Sequence, residues 1–83
     1  MDKSLSYLRE VLSNYLDEHE VSRHLYQKLS KHSFDNDEQF ARTLSDKEQS
    51  FLNQMLPREI KYAMGEQDYL RATHLNEVYE QLL

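Results

Sequence analysis

The chain has no cysteine, one glycine and one proline in 83 residues, and each shortage excludes something. Without cysteine there is no disulfide and no thiolate ligand for a metal. That suits a reducing compartment, and a cytoplasmic protein is expected. One glycine and one proline leave few sites for tight hairpin turns, so strands are not expected. No stretch approaches the ~20 apolar residues of a membrane helix. The opening "MDKSLSYLRE" holds no apolar run of signal-peptide length. Positive charge is also short: 10 Lys and Arg stand against 15 Asp and Glu, for a net charge of −5. Both halves share the excess. A chain of this sign repels phosphate backbones overall, which argues against nucleic acid as its main partner.

The 39% of apolar residues are periodic. Their 3–4 spacing predicts a single all-α domain over residues 1–83. The expected fold is a small orthogonal, compact bundle of about five helices with a long C-terminal helix. Leu5, Leu8, Val11, Leu12, Tyr15 and Leu16 mark a first helix from Leu5 to about Glu18, capped by Asp2 or Ser4. Val21, Leu25 and Leu29 mark a second, to Lys31, whose stripe is turned by about 100° from the first. A bend near residues 18–21 follows. Asp35 or Asn36 caps a short helix that points Phe40, Ala41 and Leu44 inward. "SDKE" (Ser45 to Glu48) matches a capping box and opens a fourth helix, which buries Phe51, Leu52 and Met55.

The single proline and glycine are Pro57 and Gly65, eight positions apart. Proline interrupts a helix interior but is tolerated at a first helical position. The apolar phase also jumps near it, so Pro57 is expected to start a new helix. Ile60, Met64, Arg71, Leu75, Val78 and Leu82 hold one phase through Gly65. A continuous last helix from Pro57 to about Leu82 is therefore expected, with Gly65 inside it. Gln67, Arg71 and His74 interrupt its inner face. They form a hydrogen-bonded core layer, or they mark where the helix outruns its core. In the second case the stripe, with Leu82 and Leu83, would favour self-association into a homo-oligomer.

The outer side of that helix carries Tyr62, Gly65, Glu66 and Tyr69. A glycine between tyrosines lets another backbone approach, and tyrosines serve as interface anchors. These four residues are the candidate protein-docking face. The bland alternative is a neutral glycine with tyrosines lying on the first two helices. A second candidate is "SRHLYQKLSKH" (Ser22 to His32), which contains no acid. Its Arg23, His24, Lys28, Lys31 and His32 could contact an anion, a nucleic acid or an acidic patch on another copy. Cations near a helix C-terminus are also favoured without any ligand.

Other motifs fall short of chemistry. "HEVSRH" spaces His19 and His24 five apart, where a zinc helix needs four. His74 with Glu77 is one reversed fragment of the repeated pattern that a dinuclear carboxylate site needs. "DNDEQF" lacks the glycine of a calcium loop. No glycine-rich phosphate loop or nucleophile elbow is present. Neither cofactor, metal nor catalytic residue is expected.

"YLREVLSNYL", "FLNQMLPREIKYAMGEQD" and "LNEVYEQLL" together span nearly the whole chain. The chain resembles, through these stretches, the sigma-G-dependent, sporulation-specific acid-soluble spore proteins of endospore-forming bacteria. The resemblance implies expression in the developing spore and carries no catalytic or ligand residues. The major DNA-coating spore proteins are glycine-rich and carry a germination-protease site resembling Glu-Phe/Ile-Ala-Ser-Glu. The nearest stretch here, "EQFARTL" (Glu38 to Leu44), lacks the second glutamate. A non-enzymatic protein acting through protein contacts, as adaptor or regulator, is the leading expectation. A nucleic-acid-associated spore protein and a self-assembling structural component are the alternatives.

Overall fold

The computed structural model describes residues 2–82. Among them lie five α-helices: α1 (Lys3–Leu12), α2 (Glu20–Lys31), α3 (Asp37–Ala41), α4 (Asp46–Gly65) and α5 (Tyr69–Glu80). No strand occurs among the described residues. The radius of gyration is 11.6 Å, matching the ~12 Å of a compact domain this size. The all-α bundle of five helices is as the periodicity predicted. The boundaries of three of them are not.

α1 opens on Asp2, whose carboxylate accepts from the Ser4 and Leu5 backbone N–H groups at 2.9 and 3.3 Å. It buries Leu5, Leu8, Val11 and Leu12 and stops there, six residues before the expected end. Ser13 accounts for part of this. Its hydroxyl donates to the Glu10 carbonyl at 2.5 Å, a local bond that competes with the helix ladder. The chain tightens into a 3₁₀ turn at Ser13–Tyr15 and becomes extended at His19 (φ −136°, ψ 118°). This is the bend that the shifted stripes required. α2 then buries Leu25 and Leu29 against α1. Ser22, fully buried on the same helix, donates to the Leu12 carbonyl at 3.0 Å and so satisfies an end-of-helix acceptor.

Asn36 caps α3 through the Gln39 N–H at 2.8 Å. α3 holds Phe40 in the core, edge-on to Phe34. The Ser45–Glu48 capping box forms as expected, with both reciprocal bonds present.

Pro57 and Gly65 exchange the roles expected of them. Pro57 lies inside α4, which runs unbroken for 20 residues, and α4 ends at Gly65. The core stripe of α4 is Leu52, Met55, Leu56 and Ala63, with Ile60 packed beside it. Leu56 keeps the 3–4 spacing through the proline, so there is no phase jump. Pro57 itself is exposed to solvent. Met64, assigned to the inner stripe from spacing, is instead exposed. The apparent continuity through Gly65 arose because the break consumes only three residues, close to one helical turn. After it, α5 doubles back on α4 in the most extensive contact between any two elements.

The stop has a definite structure. The Asp68 N–H bonds to the Ala63 carbonyl at 2.8 Å, and the Gln67 N–H to the Met64 carbonyl at 3.0 Å. Gln67 adopts φ 61°. This is the Schellman pattern, with glutamine in the left-handed position that glycine usually fills. Asp68 then caps α5 by accepting from the Arg71 N–H at 3.2 Å.

Candidate functional site

The docking residues read from sequence fall around this α4–α5 corner rather than along one helix. Tyr62 and Gly65 lie on the last turns of α4, Glu66 is its C-cap, and Tyr69 opens α5. Tyr62 and Tyr69 are 65% and 57% exposed, so they do not lie against the first two helices. Two neighbours that periodicity assigned elsewhere or passed over join them: Met64 at 51% and Leu70 at 57%. Among the described residues these are the large apolar side chains left in solvent, and all four fall within residues 62–70. A methyl group added at Gly65 would meet nothing within 4 Å, so the glycine is not required by packing within the chain.

The acid-free face of α2 is divided by the structure. Lys28 forms an ion pair with Glu48 at 3.0 Å and donates to the Thr43 carbonyl at 3.2 Å. The two side chains are only 22% and 11% exposed. Burial pushes the Glu48 carboxyl up, but the Ser45 backbone N–H and the Lys28 ammonium hold it below the usual carboxylate range. Lys28 is thus the clamp between α2 and the start of α4, with its charge already met. Arg23, His24, Lys31 and His32 remain exposed. Arg23 reaches the Leu16 carbonyl at 3.4 Å, which leaves a thinner cationic stripe than the sequence suggested.

The polar residues on the inner face of α5 resolve in favour of a bonded layer. Ser4, 2% exposed, donates to a Glu77 carboxylate oxygen at 2.6 Å and lies 3.0 Å from His74 Nδ1. A hydroxyl has one hydrogen and a carboxylate only accepts, so His74 Nδ1 is the donor toward Ser4. The His74 ring stacks on Tyr7 at 5.0 Å, and the Arg71 guanidinium sits 5.6 Å over the same tyrosine. Arg71 also bonds Glu10 at 2.7 Å and Asp68 at 3.0 Å. Gln67 takes no part and is exposed at the corner. Leu82 is buried in the core, so no apolar stripe runs free along the last helix; Leu83 lies outside the described residues.

Serine, histidine and glutamate together invite comparison with a nucleophile and its base. The geometry does not match one. Ser4 gives its hydrogen to Glu77 rather than to the imidazole, and it is closed off from solvent. His19 and His24 diverge: His19 stands at the N-cap position of α2 with no side-chain capping bond and its ring beside Tyr15 and Phe51, while His24 faces solvent. Among the described residues, no group of three or more His, Asp or Glu could hold a metal ion. No helix among them is long and apolar enough to cross a membrane.

The Asp37 carboxyl and the Tyr15 phenol are shifted as well. Burial, then the nearby Asp2 carboxylate, pushes the Asp37 carboxyl up. Burial, then the hydrogen bond to Glu59, pushes the Tyr15 phenol up to about 12. Both arise where elements meet, and neither lines the exposed corner.

Comparison with known proteins gives two matches over the full length. The family model described as Minor curli fiber component A matches residues 1–83. A Bacillus subtilis (strain 168) protein named Sigma-G-dependent sporulation-specific SASP protein is 53% identical over 83 residues, the whole of both chains. No solved structure matches.

Proposed function

Because the chain belongs to the family of the Bacillus subtilis sigma-G-dependent sporulation-specific SASP protein, and to the family described as Minor curli fiber component A, we propose a non-enzymatic sporulation protein of the developing spore. It acts by holding another protein at its α4–α5 corner, as an adaptor or regulator. The observation that carries this reading is the grouping of Tyr62, Met64, Tyr69 and Leu70 in solvent. Elsewhere most of the described leucines, and Phe40, are buried, with Leu16 and Leu44 half-buried. Aromatic side chains around a turn supply contact area at little entropic cost, which is the makeup of an interface centre.

The two family names differ, and the fold bears on the choice. A fibre grown by strand addition needs an open sheet edge, and the described residues form no strand. The reading therefore follows the spore relative, which is 53% identical to this chain. The nucleic-acid alternative is weakened by Lys28, whose charge is occupied by Glu48.

Affinity capture from sporulating cells, with nuclease treatment, tests the reading. The baits are the native chain, Tyr62→Ala/Tyr69→Ala, and Arg23→Glu/Lys31→Glu. A protein held by the native chain and the α2 variant, and lost by the corner variant, is the expected result. Capture that needs nucleic acid and depends on Arg23 and Lys31 would replace this reading with the nucleic-acid one.

A further inference from the structure

Arg58, Tyr62 and Glu66 lie four residues apart, one above another on the outer face of α4. All three are exposed. Neither Arg58 nor Glu66 belongs to any ion pair among the described residues. Eight residues span about 12 Å along a helix, so the two charges cannot meet within one chain. The face therefore reads cation, aromatic ring, anion, in that order, and it is left open.

We propose that a second copy of this chain covers this face across a two-fold axis at Tyr62. The inference rests on the corner being an interface and commits it to one occupant. When two α4 helices cross antiparallel with the axis at Tyr62, each Arg58 falls opposite the other copy's Glu66. A two-fold interface must be complementary to itself, and a stripe with opposite charges at equal distances from its centre meets that condition. The two tyrosines meet at the centre. Gly65, one residue before Glu66, has open space around its Cα and permits the 8–10 Å axial separation of close helix packing. The exposed Tyr69 and Leu70 follow just past the end of α4 and add apolar surface at the same corner. The net charge of −5 opposes self-association in general, so the specific Arg58–Glu66 pairing decides the orientation of approach.

The test uses the purified full chain in sedimentation equilibrium over a wide concentration range. The mass is expected to rise from 10.0 kDa towards twice that value as concentration increases. Arg58→Glu and Glu66→Arg each place two like-charge contacts in the dimer, and each is expected to weaken it roughly ten-fold. An equimolar mixture of these two variants is the decisive sample. In the mixed dimer both contacts regain opposite charges, so association should return to near the native strength. Tyr62→Ala should weaken every combination. Circular dichroism and thermal unfolding of each variant confirm that the helices stay intact.

A mass that stays at the monomer value at all concentrations overturns the second-copy inference. So does a dimer that ignores both charge reversals, because its interface then lies elsewhere. Neither outcome touches the broader reading, which the capture experiment decides separately. A monomer whose corner variant still loses a captured protein would keep the corner as an interface and assign it to a different partner.

Discussion

Among the described residues, Gln67 alone occupies a backbone conformation that an ordinary side chain resists. Its φ of 61° places the side chain near the following carbonyl, a geometry costing about 1–2 kcal/mol for most residues and almost nothing for glycine. The chain keeps its single glycine two positions earlier, at Gly65, where φ is not positive and no freedom is needed. Each mismatch is testable. Gln67→Gly should stabilise the protein by about 1 kcal/mol, because the αL cost disappears while both Schellman bonds remain. Gly65→Ala should stabilise it by about 0.5–1 kcal/mol, since alanine favours the helix and its methyl has open space. Urea unfolding at equal m-values reads both. A Gly65→Ala variant that stabilises the chain yet weakens self-association would show that the glycine serves the interface. The sequence could reveal that a helix ends near Gly65, since C-terminal glycines are common. It could not reveal that the left-handed residue is a glutamine, because glutamine carries no turn signal.

At the scale of elements, legibility followed the range of the interaction that sets each boundary. The caps of α3 and α4 depend on residues three apart: the Ser45–Glu48 box is legible directly, and Asn36 is one of the two α3 caps that the chain offers. The course of α4 depends on which residues face the core. Leu56 carries the stripe across Pro57; without it the apolar phase breaks at the proline, which imitates a helix boundary. The inner face of α2 was legible, but the fate of Lys28 was not, since its partner Glu48 is 20 positions away. That pair yields a prediction with a sign. The Glu48 carboxyl titrates below its ordinary 4.5 in the folded protein, so it contributes stability above that value. The contribution is lost as pH falls through the lower, folded-state value. Glu48→Gln should therefore destabilise the chain by about 1–2 kcal/mol at pH 7, through the lost ion pair and weakened cap. Thermal unfolding of the two proteins should converge as pH falls well below 4.5 and Glu48 becomes protonated. A gap that persists at low pH would assign the loss to packing rather than charge.

The whole molecule is closed by contacts that join its two ends. Ser4 meets His74 and Glu77 across 70 and 73 positions, and Glu10 meets Arg71 across 61. No periodicity within a segment encodes such pairings, which is why the sequence left the polar residues of α5 with two readings. In the folded protein they are the seam where α1 lies on α5. The seam's worth depends on burial. Arg71 and Glu10 bond in partial contact with water, so their ion pair adds little by itself. Ser4 is closed off, and its hydroxyl is the one group that connects to both His74 and Glu77. Ser4→Ala should cost about 1–2 kcal/mol, because His74 Nδ1 then loses its acceptor in a partly buried site. The distribution of that loss matters more than its size. In a cooperative domain a seam between the ends protects both of them. Native-state hydrogen exchange should therefore show α1 and α5 opening together, by the same increment, in Ser4→Ala. Loosening confined to the first turn of α1 would mean that Ser4 acts only as part of a local cap. Equal loosening of the two helices would identify this polar layer as the closure on which the compact bundle, and with it the α4–α5 corner, depends.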